Sequence, residues 1–361
     1  MAVDRPTNLN SRRQQVMRAL VRHYVSTAEP VGSKSLLAAY KLNVSSATVR
    51  NVMGSLERDG LLYQPHTSAG RVPSDSGYRL YVDELIEPSQ PTARRTDRML
   101  TERLQWQGWS VEALLREAAH ILAHLSGYIA LVTLPRLERM VVKHLQLVSV
   151  TADQVLLILV LDSYGAESIL LQLPRGTAGT AGDSSDDLSR ELQILSNFLT
   201  TQLQGRPLAE ISDLNWNEVD TPEDRVRVLC QAIDDLSQRQ RYSRTHIMIT
   251  GVADVLNQPE FAEHRQVRNL VSLLEDGQDQ LWPLISADGS KPLKIWIGEE
   301  NPLEPMQSCA LVTATYSRDE TPLGRIGVMG PTRMLYEDSI AAVEATSNYL
   351  SDMMSALDGT A

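Results

Sequence analysis

The chain has 361 residues, 42% hydrophobic and 22% charged, with a formal net charge of −11. That composition excludes a low-complexity polymer and fits two or three folded, soluble domains of ordinary size. The most continuous apolar run, Val155 to Leu161, is too short to span a bilayer, the N-terminus has no apolar signal region, and two cysteines without a CxxC offer no disulfide framework, so a cytoplasmic protein with no membrane contact is expected.

The charge is unevenly spread. Residues 1–82 carry eleven Lys+Arg against five Asp+Glu, a net +6, and the remainder is net −17. A basic head on an acidic body is the asymmetry expected when one domain meets phosphates and the rest does not. In the head, Asn10-Ser11 can cap a helix over about 12–24, with Val16, Leu20 and Tyr24 at helical spacing, and Glu29-Pro30 ends it. Ser33 can cap a short second helix that runs to Tyr40. Lys41 to Val44 reads as a tight turn, and Ser45 or Ser46 caps a third helix that ends at Gly60. Three short helices with this spacing form a helix-turn-helix pattern.

The third helix has two faces. Val49, Met53 and Leu56 fall at i, i+4 and i+7 and should pack inward. Ser46, Thr48, Arg50 and Asn51 lie off that stripe, in the N-terminal half that normally enters a major groove. Arginine pairs bidentately with guanine, asparagine with adenine, and serine or threonine bonds phosphates or bases. Leu61 to Gln64 then reads as a strand, and PHTSAGRVP as a tight excursion with a return strand. This is the place and composition of the wing in a winged helix. Arg71 is the first candidate there for a phosphate or minor-groove contact and His66 the second, with Gly70 permitting the turn.

PVGSKSLL and SSATVRNVMGSLERDGLLYQPHTSAGRVPSDSGYRLYVDEL closely resemble the N-terminal domain of the heat-inducible transcription repressor family, HrcA. LNQPEF, IGEEN and GVMGPTRMLY also resemble that family's motifs, in the same order, and the likeness runs from about Leu9 to Leu350. With the first of these blocks included, the candidate DNA-binding set is Ser33, Lys34, Ser45, Ser46, Thr48, Arg50, Asn51, His66 and Arg71.

Beyond Pro88-Ser89-Gln90-Pro91, a natural linker, helices are expected over about 92–106 and 110–126. YIALVTLP, KHLQLVSVT, QVLLILVLD and ESILLQLP follow as short β-rich runs, and PRGTAGTAGDSSDD as a small-residue loop. Helical patterns near 188–204, 223–241 and 260–275 then give way to the strands LKIWIG, SCALVTATY and GRIGVMG, with THIMITG as an earlier strand. A last helix is expected over about 337–354. The fold class is therefore multidomain α+β with an N-terminal winged helix-turn-helix. The family resemblance implies the rest: a GAF-like α+β domain, placed at 92–204 and 288–356, holding an inserted dimerisation domain at 205–287, behind a DNA-binding domain at 1–87.

No catalytic, cofactor or metal site stands out. His120 and His124 have a chelating spacing but no HExxH glutamate and no third ligand. Glu299 and Glu300, adjacent on a strand end, would point to opposite faces. MGPTRMLY could hold an anion through Arg333 at a helix N-terminus, or simply turn the chain and cap the last helix, which is the simpler reading. The expectation is a non-enzymatic repressor that binds an inverted-repeat, double-stranded DNA operator as a homodimer. The resemblance further implies chaperone operons as targets, release on heat stress and the chaperonin as co-regulator. The alternatives are a winged-helix regulator whose GAF-like domain senses a small molecule, and an enzyme with an accessory helix-turn-helix, which the missing catalytic constellation disfavours.

Overall fold

The computed structural model describes residues 11–67, 69–104, 110–135, 141–151, 153–161, 166–172, 185–206, 210, 214–216, 226–232, 247–255, 258, 264–286 and 292–356. All of LNQPEF but Gln258 and most of the PRGTAGTAGDSSDD loop lie outside the described residues, as does the part of the expected 223–241 helix beyond 226–232.

The head forms as its sequence pattern requires. Helices α1 (Ser11–Thr27), α2 (Ser33–Ala39) and α3 (Ser46–Arg58) bury Val16, Met17, Leu20, Val21, Leu36, Val49, Met53 and Leu56 against one another. Each such side chain contributes about 1.5–3 kcal/mol when fully buried, so this core holds the helices and leaves the polar face of α3 free for other work. Strands β1 (Leu62–Tyr63) and β2 (Val72–Pro73) pair antiparallel, and Val31 adds a third short rung through its bridge to Arg71. Gly70 is needed for that rung rather than for a turn. A Cβ there would sit 2.5 Å from the Val31 carbonyl carbon and oxygen. Helix α4 (Asp75–Leu80), capped by Ser74, follows the wing at once and continues into a wider turn over Tyr81–Leu85.

Helix α5 (Gln90–Arg103) begins two residues earlier than its expected start. Ser89 caps it, and Pro91 fits the first turn, where no backbone N–H is needed. Helix α6 (Val111–Ser126) ends at Gly127 in the left-handed region and leads into β3 (Ile129–Thr133). The main sheet is antiparallel and five-stranded, in the order β7-β3-β10-β9-β8. Its other members are β7 (Ile247–Thr250), β8 (Leu293–Ile297), β9 (Cys309–Arg318) and β10 (Thr321–Pro331). β9 and β10 read as near-continuous buried runs because helices cover the sheet. The short helix α8 (Val252–Val255) follows β7, and α9 (His264–Asp276) and α10 (Gln278–Ser286) add Leu270, Leu274, Leu281 and Ile285 to the same core. The last helix, α11 (Tyr336–Ala356), contributes Ile340, Val343 and Leu350. Together these elements make the α+β body expected behind the head.

Strands β4 (Val142–Thr151), β5 (Gln154–Leu161) and β6 (Ala166–Gln172) form a separate meander, with α7 (Ser185–Leu203) on one face. They close a second core. Leu145, Leu147, Leu157 and Leu159 meet Leu192, Leu195, Leu199 and Leu203, and Leu229 joins them from the helical stretch over 226–232. Side chains of α7 occupy the outer edge of β4: Ser196 Oγ accepts from the Leu147 N–H at 2.8 Å, and Thr200 Oγ1 donates to the Leu145 carbonyl at 2.8 Å.

This second core corrects the expected limits of the insertion. The chain leaves the main sheet after β3, builds the second unit over 142–232, and returns as β7 beside β3. Ile247, Val255, Leu270, Leu274, Leu281 and Ile285 belong to the main core, not to the insertion placed at 205–287. Strand-like residues on both sides of the boundary look alike in sequence, and only pairing partners tell the sheets apart.

Candidate nucleic-acid interface

The face of α3 opposite its buried stripe carries Arg50 and Asn51, both exposed. Neither has a hydrogen bond or ion pair among the described residues, so both can meet an external partner. Lys34, at the second position of α2, is exposed as well, and His66 stands exposed in the wing. These four are the members of the expected set that the head leaves free.

The other five are engaged within the head. Ser45 is the N-cap of α3: its Oγ accepts from the Thr48 N–H at 3.1 Å and lies 2.9 Å from the Thr48 hydroxyl. Ser33 is only 8% exposed, and its hydroxyl lies 3.2 Å from that of Ser46, tying α2 to α3. Ser33 is thus a buried link between helices. Arg71 is turned toward α3 and pairs with Glu57 through Nε at 2.9 Å and Nη2 at 2.8 Å. It anchors the wing to α3. The Glu57 carboxylate, on the penultimate residue of α3, carried no sequence signal that it would claim this cation.

The structure adds two residues to the candidate set. Tyr63 is 49% exposed on wing strand β1, and Lys41 is exposed in the turn leading into α3. Both residue types bond phosphates. The turn basicity of Lys41 was visible in sequence. Tyr63 read only as a strand former.

Two expectations follow for this surface. Ser45→Ala removes the α3 cap and is expected to cost about 1 kcal/mol of stability, read as a lower thermal midpoint. Lys34→Ala is expected to leave stability unchanged but to weaken specific and nonspecific DNA alike. Its slope of log affinity against log salt should fall by about 1 per head, so by about 2 for a dimer, which a titration at four salt concentrations reads directly.

Elsewhere, the candidate chemistry has structural explanations. The His120 ring Nδ1 lies 2.9 Å from the Thr250 hydroxyl, and among the described residues no three His, Cys, Asp or Glu side chains group as metal ligands. Burial pushes the Cys309 thiol up to about 11, the signature of an inert core cysteine. Glu299 and Glu300 lie on a 3-10 turn, Gly298–Glu300, rather than on a strand. Arg333 donates to the Val25 carbonyl of α1 at 3.2 Å, so MGPTRMLY meets the head. Among the described residues, no helix is long and apolar enough to cross a membrane.

A family model described as the HrcA protein C terminal domain matches residues 112–340. A heat-inducible transcription repressor HrcA of Cyanothece sp. is 50% identical over 362 residues, which is 96% of this chain and 98% of the relative. Another, of Synechococcus elongatus, is 50% identical over 349 residues, with 96% of this chain and 98% of the relative covered. A crystal structure of a hypothetical protein at 2.2 Å superposes with a TM-score of 0.64 at 22% identity, covering 97% of this chain and 100% of that one, a likeness of fold.

Proposed function

The chain belongs to the heat-inducible transcription repressor HrcA family, and from that premise we propose how it engages its operator. It is a repressor of heat-shock gene transcription and not an enzyme. In the proposal, α3 enters the major groove of one half of an inverted repeat, with Arg50 and Asn51 on base edges, Lys34 and Lys41 on phosphates, and the wing over the adjacent backbone. The single observation that carries it is the pair Arg50 and Asn51: exposed, free of partners among the described residues, and backed by a fully formed helix-turn-helix core. The net −17 of the remaining chain repels DNA and directs it to the net +6 head.

The proposed homodimer has a physical candidate for its interface. Along β5, Val155, Leu157 and Leu159 face α7, while Leu156, Ile158 and Val160 alternate to the other side and, among the described residues, pack into neither core. The register aligns Leu156 with Val148 on one side and Leu170 on the other, both substantially exposed. Ile158 lies between Gln146 and Ser168, but with Val148, Leu156, Val160 and Leu170 it makes this face an apolar patch of the kind that marks an interaction site. A second copy of this sheet, related by a two-fold axis, supplies the missing layer. Dimerisation thus falls to the 142–232 unit.

Operators of chaperone genes, release on heat and co-regulation by the chaperonin complete the proposal, supported by family membership. The test is a gel-shift titration of purified chain on an inverted-repeat chaperone-operon element and on scrambled DNA, with and without chaperonin. The proposal expects selective binding that strengthens with chaperonin and is lost on heating. Folded protein that fails to distinguish the two DNAs sinks it. Selective binding indifferent to chaperonin removes the co-regulator and turns attention to a small-molecule ligand of the body.

A further inference from the structure

We propose that the seam between head and body positions the two heads for the operator, with Glu300 and Glu337 as the body's positioning residues; this rests on the dimeric-repressor reading above. The seam is made of head residues outside the DNA-facing set, held by two separate clamps.

The first clamp grips α4, directly behind the wing. Arg79 sets Nε and Nη2 against the two Glu300 carboxylate oxygens, Nε at 2.8 Å, and Nη2 also donates to the Ile295 carbonyl at 2.8 Å. Burial works against the Arg79 charge, but the hydrogen bond and charge of Glu300, helped by Asp83 on the head itself, outweigh it and hold its pKa above the ordinary value. Glu300 is itself fixed before it meets the head, because its Oε2 accepts from the Ile297 N–H at 2.9 Å. At the start of α4, Asp75 accepts from the Glu299 N–H at 2.9 Å. Between them Gly298 has φ +54°, and a Cβ there would overlap the Asp75 carboxylate. Conformation and space both demand glycine.

The second clamp grips α1 and the turn after α4. Arg22 Nε reaches Glu337 Oε1 at 3.2 Å, and the Tyr81 phenol donates to the same oxygen. Burial raises the phenol's pKa, and Glu337 raises it further, so the phenol stays a donor. The Glu337 carbonyl accepts from the Ser89 N–H at 3.0 Å, and Thr92 donates to Asp338. Tyr78 and Tyr336 pack between the clamps with ring centroids 5.8 Å apart.

Held at α1 and at α4, the head cannot swivel about either clamp alone. A bidentate guanidinium–carboxylate pair fixes direction, where apolar contact would let the head slide. For a two-headed protein the second half-site is captured at an effective concentration set by the geometry of the link. A swivelling head samples many spacings and dilutes itself at the correct one. The seam therefore governs affinity for the whole inverted repeat and preference for its spacing. It does not govern the grip of one head on one half-site.

The test uses full-length chain with Glu300→Ala and Glu337→Ala together. Affinity is measured for the native operator, for operators with half-sites moved apart by a few base pairs, and for a single half-site. The expected result is a loss of about ten- to a hundredfold on the native operator, a flattened spacing preference and an unchanged half-site affinity. Arg79→Glu alone should flatten the preference, and adding Glu300→Arg should restore it. Should the double variant not fold, Glu300→Gln, which keeps an acceptor, is read the same way. An unaltered spacing preference in a folded variant overturns the proposal, and so does a half-site affinity that falls in step with operator affinity. Wild-type chain that ignores the inverted repeat altogether sinks the repressor geometry instead, a different outcome.

Discussion

Arg50→Ala is expected to lower operator affinity by about 1–3 kcal/mol per half-site, so by about 2–6 kcal/mol for a dimer seated on two. The magnitude follows from a bidentate base contact made twice by symmetry. Arg50 is exposed and has no partner among the described residues, while its neighbour Val49 is fully buried in the head. Removing the guanidinium should therefore leave folding stability within about 0.5 kcal/mol. Scrambled DNA should lose far less than the operator. Anisotropy titrations on both DNAs separate these effects. Asn51→Ala should behave alike at a different base pair. Normal operator binding by both variants would remove α3 from the role of recognition helix.

Ile158→Glu is expected to produce a folded monomer that binds the operator about a hundred- to ten-thousandfold more weakly. Ile158 lies on the outer face of β5, in neither core, so a carboxylate there meets water in the monomer. Across a two-fold axis the same carboxylate would face the apolar patch of a second sheet, where an unpaired charge is costly to bury. Sedimentation reads the mass, and the operator titration reads the avidity. A variant that remains dimeric would move the interface elsewhere. By contrast Leu195→Ala, at the centre of the second core, should damage the unit itself, since truncating a fully buried leucine costs about 2–5 kcal/mol. The pair distinguishes a lost interface from a lost fold.

The head was legible in sequence because its signals are local. A 3.6-residue stripe and punctuation by Pro30 and Gly60 place each helix to within three residues, although Gly32 and not Ser33 takes the N-cap of α2. The strands of both sheets were also legible one by one. Their assignment to two sheets was not, because β3 and β4 differ in partner rather than in composition, and β3 finds β7 more than a hundred residues away. The same reason hid half of the interface chemistry. Arg71 has the composition of a DNA contact, yet Glu57 lies within reach only after the wing folds back on α3. IGEEN and MGPTRMLY stood out as motifs without a task, since the residues that engage them, Arg79, Asp75, Val25 and Tyr78, lie more than two hundred positions earlier. Local chemistry suggested a cap or an anion site; tertiary contact makes them the body's side of the seam.

The account stands on one claim: two identical heads read an inverted repeat as a symmetric pair. Hydroxyl-radical footprinting of the purified chain on a chaperone-operon inverted repeat tests it most directly. The expected pattern is two protected segments of equal length, related by the two-fold axis of the repeat and appearing together over one protein concentration range. Protection of a single segment, or of two that fill independently, would contradict it.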